Sequence, residues 1–491
     1  MTDRKVLLAL SGMLLALFVA NLSSTIVSTA LPQMLAALHG SRTQYAWIVT
    51  ATLLATTATT PIWGKFADLF RKQNILQISV VVFVAGSLAC AFSQNAGQLI
   101  AARALQGVGV GGVQALAGIT IAAMIAPRDR GKYQGYLSAA TSSSTIGGPL
   151  LGGLIVDTSW LGWRWCYLIG IPIAAAAMVV IRRTMNLPVH RRDSVRIDYA
   201  GAALIAAGVS LLLIWVSFVD VSFAWVSWPT AAMVGGALVL LAAATWVETR
   251  AAEPVVPPRV LRQRTTILGI VGSLAVGTGL FGSSVFLSQY FQLSRGHTAT
   301  EAGLLSIPMV AGTLISSIGG GRLVSRTGKV KPFLVAGAVL LAAGFLGLGL
   351  IDQHTPMPLI ATAMLVAGLG TGLTVQNFVL VVQNDTHLKD IGAASSTVTF
   401  FRSLGGAIGV AVLGAILARD VARHLAADSS PAAVQTAYGQ ATGLIFQICA
   451  AVAVLGITAA LLLKPVTLLS AADRATALTD GKEPMAEAAT R

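Results

Sequence analysis

The chain has 491 residues, of which 55% are hydrophobic and only 11% charged, and its mean hydropathy is +0.77. So few charges cannot coat a soluble surface of this size, which excludes a soluble globular fold and leaves an all-α polytopic membrane protein. The net charge of +14 does not point to nucleic acid, because the basic residues fall in short clusters between apolar runs rather than on one face with stacking aromatics.

Apolar runs of about 20 residues, the length that crosses a bilayer core, recur fourteen times along the chain. They lie near 6–31, 45–66, 75–92, 98–125, 133–156, 165–181, 198–219, 225–247, 265–291, 302–324, 333–351, 357–382, 392–418 and 440–463. The first follows Arg4 and Lys5 but is longer than the core of a signal peptide, so it reads as a span. With the N-terminus cytoplasmic, the inside segments hold 26 of the 33 Lys and Arg and the outside loops hold 5, leaving Arg103 and Arg402 within runs. This bias orients both termini to the cytoplasm of a cell-membrane protein and requires an even number of spans. Trp160, Trp163 and Trp165 at one outside edge, and Trp225 and Trp228 at another, match an interfacial belt.

The fifth run contains Gly135–Gly153, GYLSAATSSSTIGGPLLGG, with small residues on successive turns around Pro149. As a helix it would bend at the proline and let another backbone approach closely, in either a moving helix or a static packing kink. The three cysteines, Cys90, Cys166 and Cys449, are scattered and suggest no disulfide framework, metal site or cofactor.

Two segments suggest an internal repeat. Gly64–Lys72 (GKFADLFRK) joins runs 2 and 3, and Gly321–Lys329 (GRLVSRTGK) joins runs 10 and 11. Each sets a glycine at the cytoplasmic end of one run and a basic pair within the next nine residues. Matching runs 1–6 with 9–14 divides the chain into an N-terminal six-helix bundle (1–186), two inserted helices (187–250), a C-terminal six-helix bundle (251–464) and a cytoplasmic tail (465–491).

The chain resembles the major facilitator superfamily and, within it, the fourteen-helix drug:proton antiporter family. The likeness rests on STIVSTALP at 24–32, GKFADLFRK at 64–72, RALQGVGVGG at 103–112, GGPLLGG at 147–153, WRW at 163–165, GRLVSRTGK at 321–329 and FFRSLGGAIGVAVLGA at 400–415. The resemblance implies two six-helix bundles rocking about a central cavity lined by runs 1, 4, 9 and 12. It implies that Asp68 with nearby basic residues such as Lys72 latches the cytoplasmic side and that Arg103 takes part in proton coupling. It also implies that Gly148, Pro149, Gly152 and Gly153 form the antiporter signature, with Arg402 in the last shared motif as a further gating or coupling residue. Three positions depart from the family pattern: Ser23 stands where an aspartate is usual, Arg71 where a glycine is usual, and Asp385 where a small residue is common.

The missing aspartate bears on mechanism. Proton coupling needs a group in the pathway that gains and loses a proton, and no acid falls mid-membrane while all six histidines fall in loops. Coupling then uses an end-of-span carboxylate, with Asp68, Asp157, Glu301 and Asp385 as candidates, or is absent. Burying a guanidinium at a helix centre costs roughly 2.5–3.5 kcal/mol on insertion scales, so Arg103 and Arg402 should face protein or a wet cavity. A cavity with arginine and no acid suits a neutral or anionic amphiphile, oriented by Asn21, Ser23, Gln114, Gln376 and Asn377, unless these side chains make helix–helix hydrogen bonds.

No phosphate-binding loop argues for an ATP-driven pump, and no nucleophile–base set within the runs argues for an enzyme. The expectation is a secondary transporter, a proton-coupled antiporter, that works by alternating access as a monomer and exports amphipathic small molecules, drugs or antibiotics among them. Its partners would be that substrate, protons and the lipid bilayer, without nucleic acid. The competing readings are a lipid or metabolite exporter with weak or no proton coupling, and a membrane sensor that binds without transporting.

Overall fold

The computed structural model describes residues 3–39, 42–126, 128–158, 161–185, 198–219, 223–251, 254–387, 390–425, 430–465 and 468. The apolar runs form helices. In chain order these are α1 (Asp3–Ala37), α2 (Arg42–Leu69), α3 (Lys72–Ala91), α4 (Ala96–Met124), α5 (Arg130–Asp157), α6 (Trp165–Leu168) and α7 (Gly170–Thr184). The inserted stretch forms α8 (Tyr199–Phe218) and α9 (Trp228–Glu248), followed by a single turn, α10 (Pro258–Leu261). The remainder forms α11 (Arg264–Gln289), which runs into a π-turn over Tyr290–Ser294, then α12 (Ala299–Leu305), α13 (Ile307–Thr327), α14 (Lys331–Leu348), α15 (Met357–Asn384), α16 (Ile391–Leu425) and α17 (Pro431–Leu462). The tail beyond 468 lies outside the described residues.

Polar side chains mark the helix starts. Asn95, Asp198, Ser227 and Ser430 each accept a backbone N–H in the first turn of α4, α8, α9 and α17, the donors that a helix start otherwise leaves unsatisfied. Gly328 ends α13 in the left-handed region at φ 70°, where a side chain would be strained.

Among the described residues twelve helical segments are long and apolar enough to cross a membrane, against the fourteen runs read from the sequence. The two that fall short are α2 and α5, each 28 residues long. Length does not disqualify them; hydroxyls do. α2 carries Thr50, Thr52, Thr56, Thr57, Thr59 and Thr60, and its hydroxyls turn to protein: Thr52 Oγ1 donates to the Arg103 carbonyl at 3.1 Å and Thr56 Oγ1 to the Gly107 carbonyl at 3.0 Å. α5 carries Ser138, Thr141, Ser142, Ser143, Ser144 and Thr145.

The chain groups into two compact units. The first holds Met1–Ile125, Ser143–Arg262 and Thr386–Phe400; the second holds Ala126–Ser142, Gln263–Asp385 and Phe401–Arg491. α5 and α16 therefore each divide between them. The core of the first unit gathers Leu22, Ile26, Met34, Leu99, Trp163 and Tyr167. That of the second is richer in rings, with Phe286, Tyr290, Phe345, Phe378 and Phe446 buried and the Phe345 and Phe446 rings stacked at 6.0 Å. Within the first unit α4 lies close along α2, because Gly107 has no side chain: a methyl there would stand 2.5 Å from the Thr52 carbonyl oxygen.

Candidate functional site

Asp68 sits in the last turn of α2. Its Oδ1 accepts the backbone N–H of Gly392 and its Oδ2 that of Ala393, both at 2.9 Å, at the start of α16. These are donors that a helix start leaves open, and the positive end of the helix dipole favours the anion that takes them. The approach depends on glycine. A methyl on Gly392 would run into the Gly64 carbonyl and the Asp68 carboxylate, and one on Gly64 into the Ser396 side chain. The charges of Lys72 and Asp390 also act on Asp68, and Asp390 is itself paired with Arg259 at 2.8 Å. This crossing lies wholly within the first unit.

The two similar sequence segments end α2 and α13, and the second unit holds a like crossing, between the end of α13 and the start of α5. Gly321 takes the place of Gly64 and Ser325 that of Asp68, while Gly131 and Lys132 take those of Gly392 and Ala393. Ser325 Oγ accepts the Lys132 backbone N–H at 3.2 Å, matching the bond from Ala393 to Asp68. A methyl on Gly321 would strike the Gly131 carbonyl, and one on Gly135 would stand 2.8 Å from the Ser317 carbonyl oxygen. Arg128 adds a cation at the other pole: Nε donates to the Ser325 carbonyl at 3.0 Å and Nη2 to the Arg326 carbonyl at 2.9 Å, in the last turn of α13, where the dipole is negative.

A third polar cluster lies inside the first unit. Arg103, 2% exposed on α4, donates from Nη1 to Gln106 Oε1 at 2.7 Å and from Nε to the Ile48 carbonyl at 3.3 Å. Gln106 Nε2 donates on to Ser23 Oγ at 3.0 Å and Ser87 Oγ at 2.8 Å. The amide thus joins Arg103 to Ser23, three residue types that hold one charge state near neutral pH. Sequence reasoning named Arg103 and Ser23 but missed Gln106, whose signal was its place one helical turn after Arg103.

The other expected site residues are distributed over both units. Asn21 donates to the Leu17 carbonyl at 2.8 Å and accepts from Gln114 at 3.2 Å in the first unit, while Asn377 donates to the Leu373 carbonyl at 2.6 Å in the second, with Gln376 half-buried beside it. Gly148 is buried against Thr25, whose hydroxyl reaches the Ser144 carbonyl at 3.0 Å, and Gly152 is buried too. Pro149, Gly153 and Asp157 belong to α5, but their surroundings lie outside the described residues. Glu301 is exposed and completes a capping box with Thr298 at the start of α12. Asp385 is exposed just past the end of α15. Arg402 lies on α16, its Nη1 at 3.5 Å from the Val375 carbonyl.

The inserted helices add two carboxylates, Glu248 and Asp198. Glu248 closes the turn after α9 by accepting from the N–H groups of Val255 and Val256, each at 3.1 Å, and Asp198 caps α8 through Gly201 N–H at 2.8 Å. Both flank Gly201, and the charge of Lys65, buried on α2, acts on Glu248. Trp47 and Phe218, their rings tilted with centres 4.6 Å apart, further join α2 to α8.

Against known proteins, a model of the Major Facilitator Superfamily matches residues 13–410. An MFS-type transporter of Mycobacterium tuberculosis is 36% identical over 493 residues, covering 96% of this chain and 71% of the relative. The multidrug transporter protein MdtP of Bacillus subtilis is 33% identical over 411 residues, covering 84% and 75%. Among solved structures, the human organic anion transporter MFSD10 aligns with a TM-score of 0.65 at 14% identity over 94% of this chain and 100% of that one. The proton:xylose symporter XylE aligns with a TM-score of 0.65 at 15% identity, over 93% and 95%. At these identities the two structures establish the fold alone.

Proposed function

Because the chain belongs to the major facilitator superfamily, we propose that it is a secondary transporter of the cell membrane that exports amphipathic small molecules by alternating access. The basic loops and both termini face the cytoplasm, and α2 and α5 supply the two crossings that bring the count to fourteen. Relatives named as multidrug transporter and efflux pump support the direction and the substrate breadth. The observation that carries the reading is Asp68 at the start of α16: a carboxylate held by two backbone N–H bonds is a latch that forms or breaks as a unit, as a gate requires. Flux from proteoliposomes tests it. Asp68→Ala should lose transport while remaining inserted, and full flux in that variant would remove the gate.

A second reading concerns energy coupling. Arg103, Gln106, Ser23 and Ser87 include no group that exchanges a proton near neutrality, so an imposed pH gradient should drive this chain only weakly through that cluster. Ser23→Asp would place a carboxyl next to Gln106 and should raise the response to the gradient. Strong gradient-driven flux in the native chain would assign coupling to another acid.

A further inference from the structure

Arg402 and Arg103 both sit within membrane helices, yet they are held very differently. Arg103 is buried, with a 2.7 Å bond to Gln106 and a second to a carbonyl. Arg402 lies well inside the 35-residue helix α16, and its one hydrogen bond among the described residues, to the Val375 carbonyl, is 3.5 Å long, the outer limit of such a bond. A guanidinium carries five N–H donors, and no carboxylate among the described residues pairs with this one. Its side chain is half-buried. Turning that accessible part to lipid would be costly, so it faces protein and water.

We propose that Arg402 is a substrate-binding residue that takes the carboxylate or sulfonate of an anionic amphiphile. A planar guanidinium with unused donors binds such groups through two parallel N–H bonds, and a low-dielectric surround strengthens them. Gln376 follows Val375 on α15 and is half-buried, and among the described residues no hydrogen bond engages its amide. Asn377 does not contribute, since its amide is committed to the Leu373 carbonyl. Arg402 is the twelfth of the 35 residues of α16, about 16 Å along the helix from its start, which favours a soluble amphiphile over a lipid headgroup as the source. This inference rests on the exporter reading for its physiological meaning, though binding tests it separately.

The experiment compares naphthalene-2-sulfonate with its neutral isostere naphthalene-2-sulfonamide, first by equilibrium binding to the purified full-length chain and then by flux in proteoliposomes. Arg402→Ala should weaken sulfonate binding by about tenfold or more and sulfonamide binding by much less, while Arg402→Lys, which keeps the charge but not the fork, should fall between. Retained sulfonamide binding also certifies that the variants are folded. Equal sulfonate affinity in native and Arg402→Ala chains, or equal losses for both ligands, would overturn the site. If sulfonate binds in an Arg402-dependent way and neither compound is moved, the site stands and the exporter reading falls.

Discussion

The crossing of α2 on α16 and that of α13 on α5 use the same backbone plan with different chemistry at one position. Both bring helices to van der Waals contact through paired glycines, Gly64 with Gly392 and Gly321 with Gly131, and both let a side chain four residues after the first glycine accept an N–H from the facing helix start. In the first unit that side chain is a carboxylate with two bonds. In the second it is a hydroxyl with one, and a cation, Arg128, binds the carbonyl end of α13 instead. The two crossings thus share their steric element and differ in how strongly they are held.

If the glycines set the geometry, Gly392→Ala and Gly321→Ala should each reduce flux at least about tenfold at matched membrane levels, since forcing a methyl into a closed contact costs roughly 1–3 kcal/mol or more. Unequal losses would mean that the two crossings do not share a steric plan. Of comparable or greater size, Asp68→Ala removes two bonds to a charged group, worth about 1.5–3 kcal/mol each, and should open the gate by a factor of about a hundred or more, read as reactivity of a cysteine placed at Ser396; Asp68→Asn should do less. Ser325→Ala removes one neutral bond, about 0.5–1.5 kcal/mol, and should change flux no more than about tenfold. Should it match Asp68→Ala, the charge difference between the units carries no weight. The smallest effect belongs to Arg128→Ala, about 0.3–1 kcal/mol for a charge at an exposed helix end, measured as a modest loss of thermal stability in detergent.

How far the sequence announced all this depended on whether an interaction is local. Apolar runs declare themselves by length, so the helices were legible, and α2 and α5 stood out as spans only because a run is read by its lack of charge while their hydroxyls lower hydropathy. Asp68 was legible through its loop pattern. Its partners were not, because N–H groups of Gly392 and Ala393 have no side-chain signature and meet α2 only when α16 folds onto it. Gln106 was hidden for a similar reason: it draws Ser23 from α1 and Ser87 from α3 to α4, a convergence that no spacing in one run encodes. Glu301 shows the reverse. Its local pattern Thr298-Ala-Thr-Glu301 spells a helix start, and the structure forms that capping box at α12.

The three cysteines, Cys90, Cys166 and Cys449, are all sealed inside their units, at 0–1% exposure. Thiol reagents need an accessible thiolate, so the native chain should stay dark to maleimide dyes while folded. A single cysteine introduced at an exposed position such as Gln98 or Arg419 would then be the one bright site on the molecule. The protein arrives with the clean background that fluorescence and spin-label studies of transporters ordinarily have to engineer, and an introduced label can be read without replacing any native cysteine.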